Sequence, residues 1–271
     1  VTANATQAIS AEQLISRYQR EFLMLAGKDS VGKTCAVVSM AKYIEEVSPD
    51  SKFHLIDSEN KVAGALRSFG TDAPHNIAYY KCPTMNVVTD ATEKIMGSYK
   101  AGDWLAVESL SRIWEMAQDM GYQEVSGMGK AAYLRKWRDE GKRGGPIPKP
   151  DDLWSIVKGA HNGAFLDLLV ERDDLNVMLT TTIAKPPKEG SFMKENADRK
   201  ALRVELGIDV GIEGAPRLPY YPESFCLLEL KQGTVTARML RDNLSVNEVS
   251  RVEFDVPDRK SFGMMFYANC R

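Results

Sequence analysis

The residues with the most chemistry in them fall between Gly27 and Cys35. An apolar run, Phe22 to Ala26, stops at Gly27, and Lys28, Asp29, Ser30, Val31, Gly32, Lys33 and Thr34 follow, the last three already opening a helix-forming stretch that runs past Cys35. This is the order G-x-x-x-x-G-K-[ST] in the strand-to-helix setting that a phosphate-binding loop requires. Glycines leave room for backbone N–H groups to turn onto phosphate oxygens, and the helix that follows points its N-terminal dipole at the same anion. Lys33 would reach the β- and γ-phosphates, and the Thr34 hydroxyl would ligate Mg²⁺. Gly27 to Cys35 are therefore the candidate contacts to ATP.

Two further places carry acids where such a loop could use them. "FHLIDSEN" puts Asp57 and Glu59 at the C-terminal end of an apolar stretch, and "DWLAVESL" ends another on Glu108. Ligands of open α/β sheets sit outside the carboxyl ends of the strands. A carboxylate there, Asp57 or Glu59, could polarise the water that attacks a γ-phosphate, the general-base task. An acid that ends a buried strand beside such a loop needs a partner, and Glu108 is such an acid.

These residues are useful only if strands bring them together. "FLMLA" (22–26), "FHLID" (53–57), "IAYYKC" (77–82), "WLAV" (104–107) and "LNVMLTTTIA" (175–184) read as strands. Helices are expected near 32–46, 61–69, 88–99, 110–120 and 152–171, with a further amphipathic one from Ser10 to Arg20. Strands apolar throughout are buried on both faces, and regular βα alternation argues a doubly wound α/β sheet. "SFCLLEL", "KQG" and "TVTARML" read as a β-hairpin at the edge of that sheet. Residues 121–150 and 186–220 break the rhythm. They are loop-rich and charged, with no readable strand in the first, and long loops in compact domains usually have a task.

The motifs in this order resemble the RecA family. His54-Leu55-Ile56-Asp57-Ser58-Glu59-Asn60 is similar to the "F-I-D-A-E-H" element whose glutamate is the catalytic base, and Glu108-Ser109-Leu110-Ser111 with Trp114 looks like its "hhhh-D-S" metal strand. Small phage ATPases associated with single-strand annealing are the nearest in pattern. The resemblance covers roughly residues 20–240 and implies a single RecA-like P-loop NTPase domain: mostly parallel sheet, helices on both faces, an edge β-hairpin over 221–243. It also implies ATP and Mg²⁺ as ligands, with Thr34 and Glu108 on the metal and Lys33, Glu59, Glu108 and Arg241 catalytic. Arg241, with Arg238, resembles a finger offered to a neighbouring subunit, so a homo-oligomer is implied. Thr181, Thr182 or Lys185 would sense the γ-phosphate. The departures are Glu108 for aspartate, and Ala63 and Leu66 where RecA itself has its adenine-side aspartate and tyrosine.

Composition leaves the partner open. With 35 basic and 37 acidic residues the net charge is −2, so a nucleic-acid surface must be local. Residues 121–150 supply one, with Lys130, Arg135, Lys136, Arg138, Lys142, Arg143 and Lys149 interleaved with Tyr133 and Trp137. Lys188, Lys194, Arg199, Lys200 and Arg203 add a second group after the sensor strand. Single-stranded DNA is the expected polymer, because cations neutralise phosphates while aromatic faces stack unpaired bases. A single-strand-binding or annealing protein is a possible partner. Four scattered cysteines and the lack of a signal-like or membrane-length apolar run suggest a reduced cytoplasmic setting, with no membrane role. Three alternatives stay open: a ParA/MinD-like dimeric switch using Lys28, a DNA-translocating or packaging motor, and a small-molecule kinase.

Overall fold

A computed structural model of the chain describes residues 20–140, 150, 152–184, 200, 204, 211–213, 221–242 and 252–271. The expected helix at 10–20 lies outside them except for Arg20, as do Lys142, Arg143, Lys149, Lys185, Lys188, Lys194, Arg199 and Arg203.

The strands are β1 (Phe22–Gly27), β2 (Phe53–Asp57), β3 (Ile77–Lys81), β4 (Trp104–Glu108), β5 (Asn176–Ala184), β6 (Gly211–Ile212), β7 (Ser224–Lys231), β8 (Thr234–Asp242) and β9 (Glu253–Val256). The helices are α1 (Lys33–Val47), α2 (Val62–Phe69), α3 (Met85–Met96), α4 (Leu110–Ser126), α5 (Lys130–Asp139), α6 (Leu153–Lys158), a π-helical segment Gly159–Leu166, α7 (Asp167–Val170) and α8 (Phe262–Cys270). The sheet runs β3-β2-β4-β5-β1-β7-β8-β9, parallel from β3 to β7 and antiparallel beyond, with β6 paired to β5. The fold is α/β, a mostly parallel sheet with helices on both faces, as the alternation of apolar strands and amphipathic helices predicts.

The period-2 geometry of β1 shows how the layers form. Phe22, Met24 and Ala26 join the core under α3, α4 and α6, while Leu23 and Leu25 join the core under α1, α2 and α8. All five are fully buried. Each large one stabilises the fold by about 1.5–3 kcal/mol through loss of apolar surface from water. In register, Asp57 lies beside Glu108, and Gly27 lies beside Thr182 and Leu228. Measured along β5, the ends of β4 and β1 fall about two residues apart, and the loops after β1, β2 and β4 open at the same end of the sheet.

Three expectations change. The hairpin β7–β8 is not the sheet's edge, because β9 pairs with β8 outside it and α8 packs beneath. Four alternating residues, Glu253 to Val256, are too short a pattern to stand out. The segment 121–150 is not loop from its start: α4 continues to Ser126 and α5 follows. Gly121 does not break α4 because its bare Cα is packed close, a Cβ there lying 2.7 Å from Val157 Cγ2. The single helix expected over 152–171 is α6 and α7 joined by the π-helical turn, which turns His161 inward between Trp114 and Phe165.

Candidate functional site

The loop between β1 and α1 is a cradle with nothing to obstruct it. Gly27 is pressed against the neighbouring strand, where an added Cβ would sit 3.0 Å from the Leu228 carbonyl and 2.7 Å from Val31 Cγ1. Gly32 holds φ at +103°, a conformation that L side chains rarely adopt, and it starts α1. Lys33 is buried with its ammonium folded back, Nζ donating to the carbonyls of Gly27 at 2.8 Å and Lys28 at 2.9 Å. Burial holds that ammonium below its ordinary pKa, against the opposing pull of Glu108 and Asp29. Lys28, Asp29 and Ser30 are exposed at the crest of the loop, and Cys35 is half-buried in the first turn of α1.

Glu108 closes the floor. It is 2% exposed and accepts hydrogen bonds from Thr34 Oγ1 at 2.9 Å and from Thr180 Oγ1. Burial pushes its pKa above the usual carboxylate range, against those hydrogen bonds and the charge of Lys33. A hydroxyl and a carboxylate meeting at this distance offer hard oxygen donors of the kind Mg²⁺ takes, the rest of its shell coming from phosphate and water. Among the described residues no cluster of three or more His, Cys, Asp or Glu could hold a metal without such help.

Glu59 comes from the turn after β2. Its Oε1 accepts from Ser109 Oγ at 2.9 Å, and its other oxygen is ion-paired with Lys61. Burial alone would raise the Glu59 carboxyl, but the hydrogen bonds from Lys61 and Ser109 outweigh it and hold the pKa below the usual range. The turn itself is tied down from inside. Asp57, 1% exposed, accepts from the backbone N–H of Glu59 at 3.0 Å and of Val62 at 3.1 Å, and from Tyr79 OH at 3.1 Å. Ser58 stitches β2 to β4, with its N–H on the Glu108 carbonyl at 2.6 Å and its Oγ accepting from Ser109 N at 3.0 Å.

Lys33, Thr34, Glu59 and Glu108 thus line one cleft of about 660 Å³, together with Lys61, Ser109 and Thr182. The cleft is also lined by Leu230, Gly233 and Thr234 around the β7–β8 turn, by Val256 to Arg259 between β9 and α8, and by Gly64, Ala65 and Ser68 of α2, none of which the motifs single out. Short segments far along the chain leave no local signal of that kind. Thr180 and Ser109 were likewise missed as partners of the two acids.

Of the sensor residues, Thr182 reaches the cleft, and its N–H donates to Ser111 Oγ at 2.9 Å. Thr181 is buried behind it, bonded to Ser111 Oγ at 3.1 Å and to the Glu213 carbonyl at 2.8 Å. Arg241 lies elsewhere. It pairs with Phe225, which pairs with Met24, three residues or roughly 10 Å down the strand from Gly27. Its Nη2 donates to the Pro222 carbonyl at 2.7 Å, and Arg238 faces Glu229 at 3.4 Å.

No protein-family model matches the chain, and none of the curated proteins does. Among solved structures, it is similar to a KaiC-like protein of the hyperthermophilic archaeon Pyrococcus horikoshii, at 10% identity and a TM-score of 0.46, over 88% of this chain and 86% of that one.

Proposed function

We propose that the chain is a Mg²⁺-dependent, RecA-like ATPase that acts on single-stranded DNA in recombination, annealing or repair. One observation carries the catalytic half: Lys33, Thr34, Glu108 and Glu59, from three separate strand ends, converge on one cleft. Lys33 leaves the loop carbonyls for the β- and γ-phosphates. Thr34 and Glu108 hold the metal, which when bound offsets charge on the phosphate oxygens. Glu59 holds the attacking water and takes its proton, a role suited to a carboxylate kept ionised by its neighbours. Ser109 aims that carboxylate. The nucleobase extends along the cleft toward Val256 and Pro257, which line it together with the phosphate loop.

The DNA half is supported by α5. Arg135, Lys136 and Arg138 are exposed on it, with Trp137 half-buried among them. Tyr133 has another engagement, its ring 5.1 Å from that of Tyr122, so Trp137 is the stacking residue of this pair. Arg241, remote from its own phosphate loop, is a residue for a neighbouring subunit, consistent with a homo-oligomer in which ATP is hydrolysed between copies. Among the described residues no helix is long and apolar enough to cross a membrane.

Phosphate release from ATP, measured alone and with single-stranded or duplex DNA, tests the assignment. Stimulation by single strands that is lost in an Arg135→Ala, Lys136→Ala, Arg138→Ala variant is the expected result. ATP hydrolysis indifferent to both polymers would leave the ATPase and remove the DNA role. In that case the exposed Lys28 makes a dimeric switch the reading to pursue, with Lys28→Ala as its test.

A further inference from the structure

Lys61 was not among the residues the motifs single out, yet it stands in the cleft with them. It precedes α2, two residues beyond Glu59, and Asn60 between them turns the backbone at φ +58°. That turn sends both side chains to the same side, where Lys61 Nζ is ion-paired with Glu59 Oε2. The lysine side chain is 55% exposed and its partner 19%, so the ammonium sits at the mouth and the carboxylate inside. Lys61 lines the same cleft as Lys33 and Glu108. Its charge is felt by three of the cradle residues, attracting Asp29 and Glu108 and repelling Lys33.

We propose that Lys61 is a cation supplied in cis to the terminal phosphoryl group, latched onto Glu59 while the cleft is empty and transferred to the γ-phosphate when a nucleoside triphosphate enters. This rests on the reading of Glu59 and the cleft given above. The exchange follows from charge. One carboxylate holds the ammonium in the empty cleft, and a triphosphate brings several negative oxygens to the same mouth. Lysine is a point charge on a flexible four-carbon stem, which lets it change partners without moving the backbone.

The transfer does two things at once. It frees one oxygen of Glu59 for the attacking water, and it brings positive charge to where negative charge develops in the transition state. In the step itself, the water oxygen forms a bond to the γ-phosphorus and its proton passes to Glu59. The bond to the bridging oxygen breaks, and its electron pair leaves on the diphosphate. Lys61 keeps its own proton throughout. The latch also explains why the empty cleft does not leave a half-buried acid without a counter-charge.

The test compares wild type, Lys61→Ala and Lys61→Arg with Mg²⁺ in two measurements: steady-state ATP hydrolysis across pH, and titration with ADP and with a non-hydrolysable ATP analogue. In Lys61→Ala the plateau kcat should fall roughly tenfold or more. Affinity for the analogue should fall while that for ADP stays within about threefold, and Lys61→Arg should recover much of both. If Lys61→Ala keeps the plateau kcat and the analogue-to-ADP ratio, and only the acid limb moves upward, Lys61 merely guards Glu59 and the proposal is overturned. Wild type that binds neither nucleotide overturns the parent reading as well, so the two failures are distinguishable.

Discussion

Thr34 Oγ1 donates to Glu108 Oε1 at 2.9 Å, joining the end of the phosphate loop to the last residue of β4 across a gap of 74 positions in the chain. That contact exists because parallel β4 and β1 flank β5 and end within about two residues of each other along it. The longer glutamate, where an aspartate is the more familiar acid, spans from strand to hydroxyl while Thr180 holds its other oxygen. If this pair is the metal seat, Thr34→Ala and Glu108→Gln should each raise the Mg²⁺ concentration for half-maximal hydrolysis by roughly tenfold or more. Chelation should stop hydrolysis altogether. Because burial raises the Glu108 pKa, and a metal needs the ionised form, the Mg²⁺ requirement should also grow as pH falls.

Asp57 acts on the site through Glu59. It anchors the N–H groups of Glu59 and Val62 from beneath the turn. Asp57→Ala leaves those buried groups without their acceptor, at a cost of about 2–3 kcal/mol in stability. If Glu59 is the base, the loosened turn should also lower kcat by roughly tenfold or more, with KM for ATP little changed, because its misplacement affects the chemical step. Tyr79→Phe removes one outer hydrogen bond only, and should cost about 1 kcal/mol. Thermal melts and Michaelis–Menten analysis of the two variants check both statements.

His161 should make the fold sensitive to acid. It is fully buried, edge-on to Trp114 at 4.9 Å between ring centroids, and burial depresses its pKa to about 4. An unfolded chain binds this proton near pH 6.5, so the stability present above that value is lost as pH falls toward the folded pKa. The loss is roughly 2 kcal/mol by pH 5 from this residue. Between pH 7.5 and 5, wild type should therefore lose more in Tm than His161→Phe does. Equal slopes for the two would rule the residue out.

Gly263 allows α8 to lie on α1. A Cβ there would stand 2.7 Å from the Ser39 carbonyl and 2.8 Å from Tyr43 Cβ. Gly263→Ala should destabilise by about 1–3 kcal/mol, since backbone on the facing helix cannot give way as a flexible side chain would. Denaturant midpoints measure it directly.

What the sequence discloses follows the range of the interactions. The phosphate loop and β1 were legible because each is a run of adjacent residues with one chemistry, and the acids at 59 and 108 because each follows an apolar run that reads as a strand. Thr180 and Ser109 were not, because their contacts with Glu108 and Glu59 join residues 72 and 50 positions apart. The helix end expected near residue 120 falls just before Gly121, whose close approach to Val157 only the packing shows. The lining from Val256 to Arg259 lies some 220 residues beyond the β1–α1 loop that shares the cleft, and carries no motif of its own.

The most direct measurement sets hydrolysis against binding in Glu59→Gln. The substitution keeps the size of the side chain and its hydrogen bond from Ser109 Oγ, while removing the basic oxygen. The binding constant for the ATP analogue should stay within about threefold of wild type, while kcat falls by roughly 100-fold or more. A Glu59→Gln enzyme that turns over ATP at the wild-type rate would mean that Glu59 is not the base, and the lytic water would have to be held by some other group.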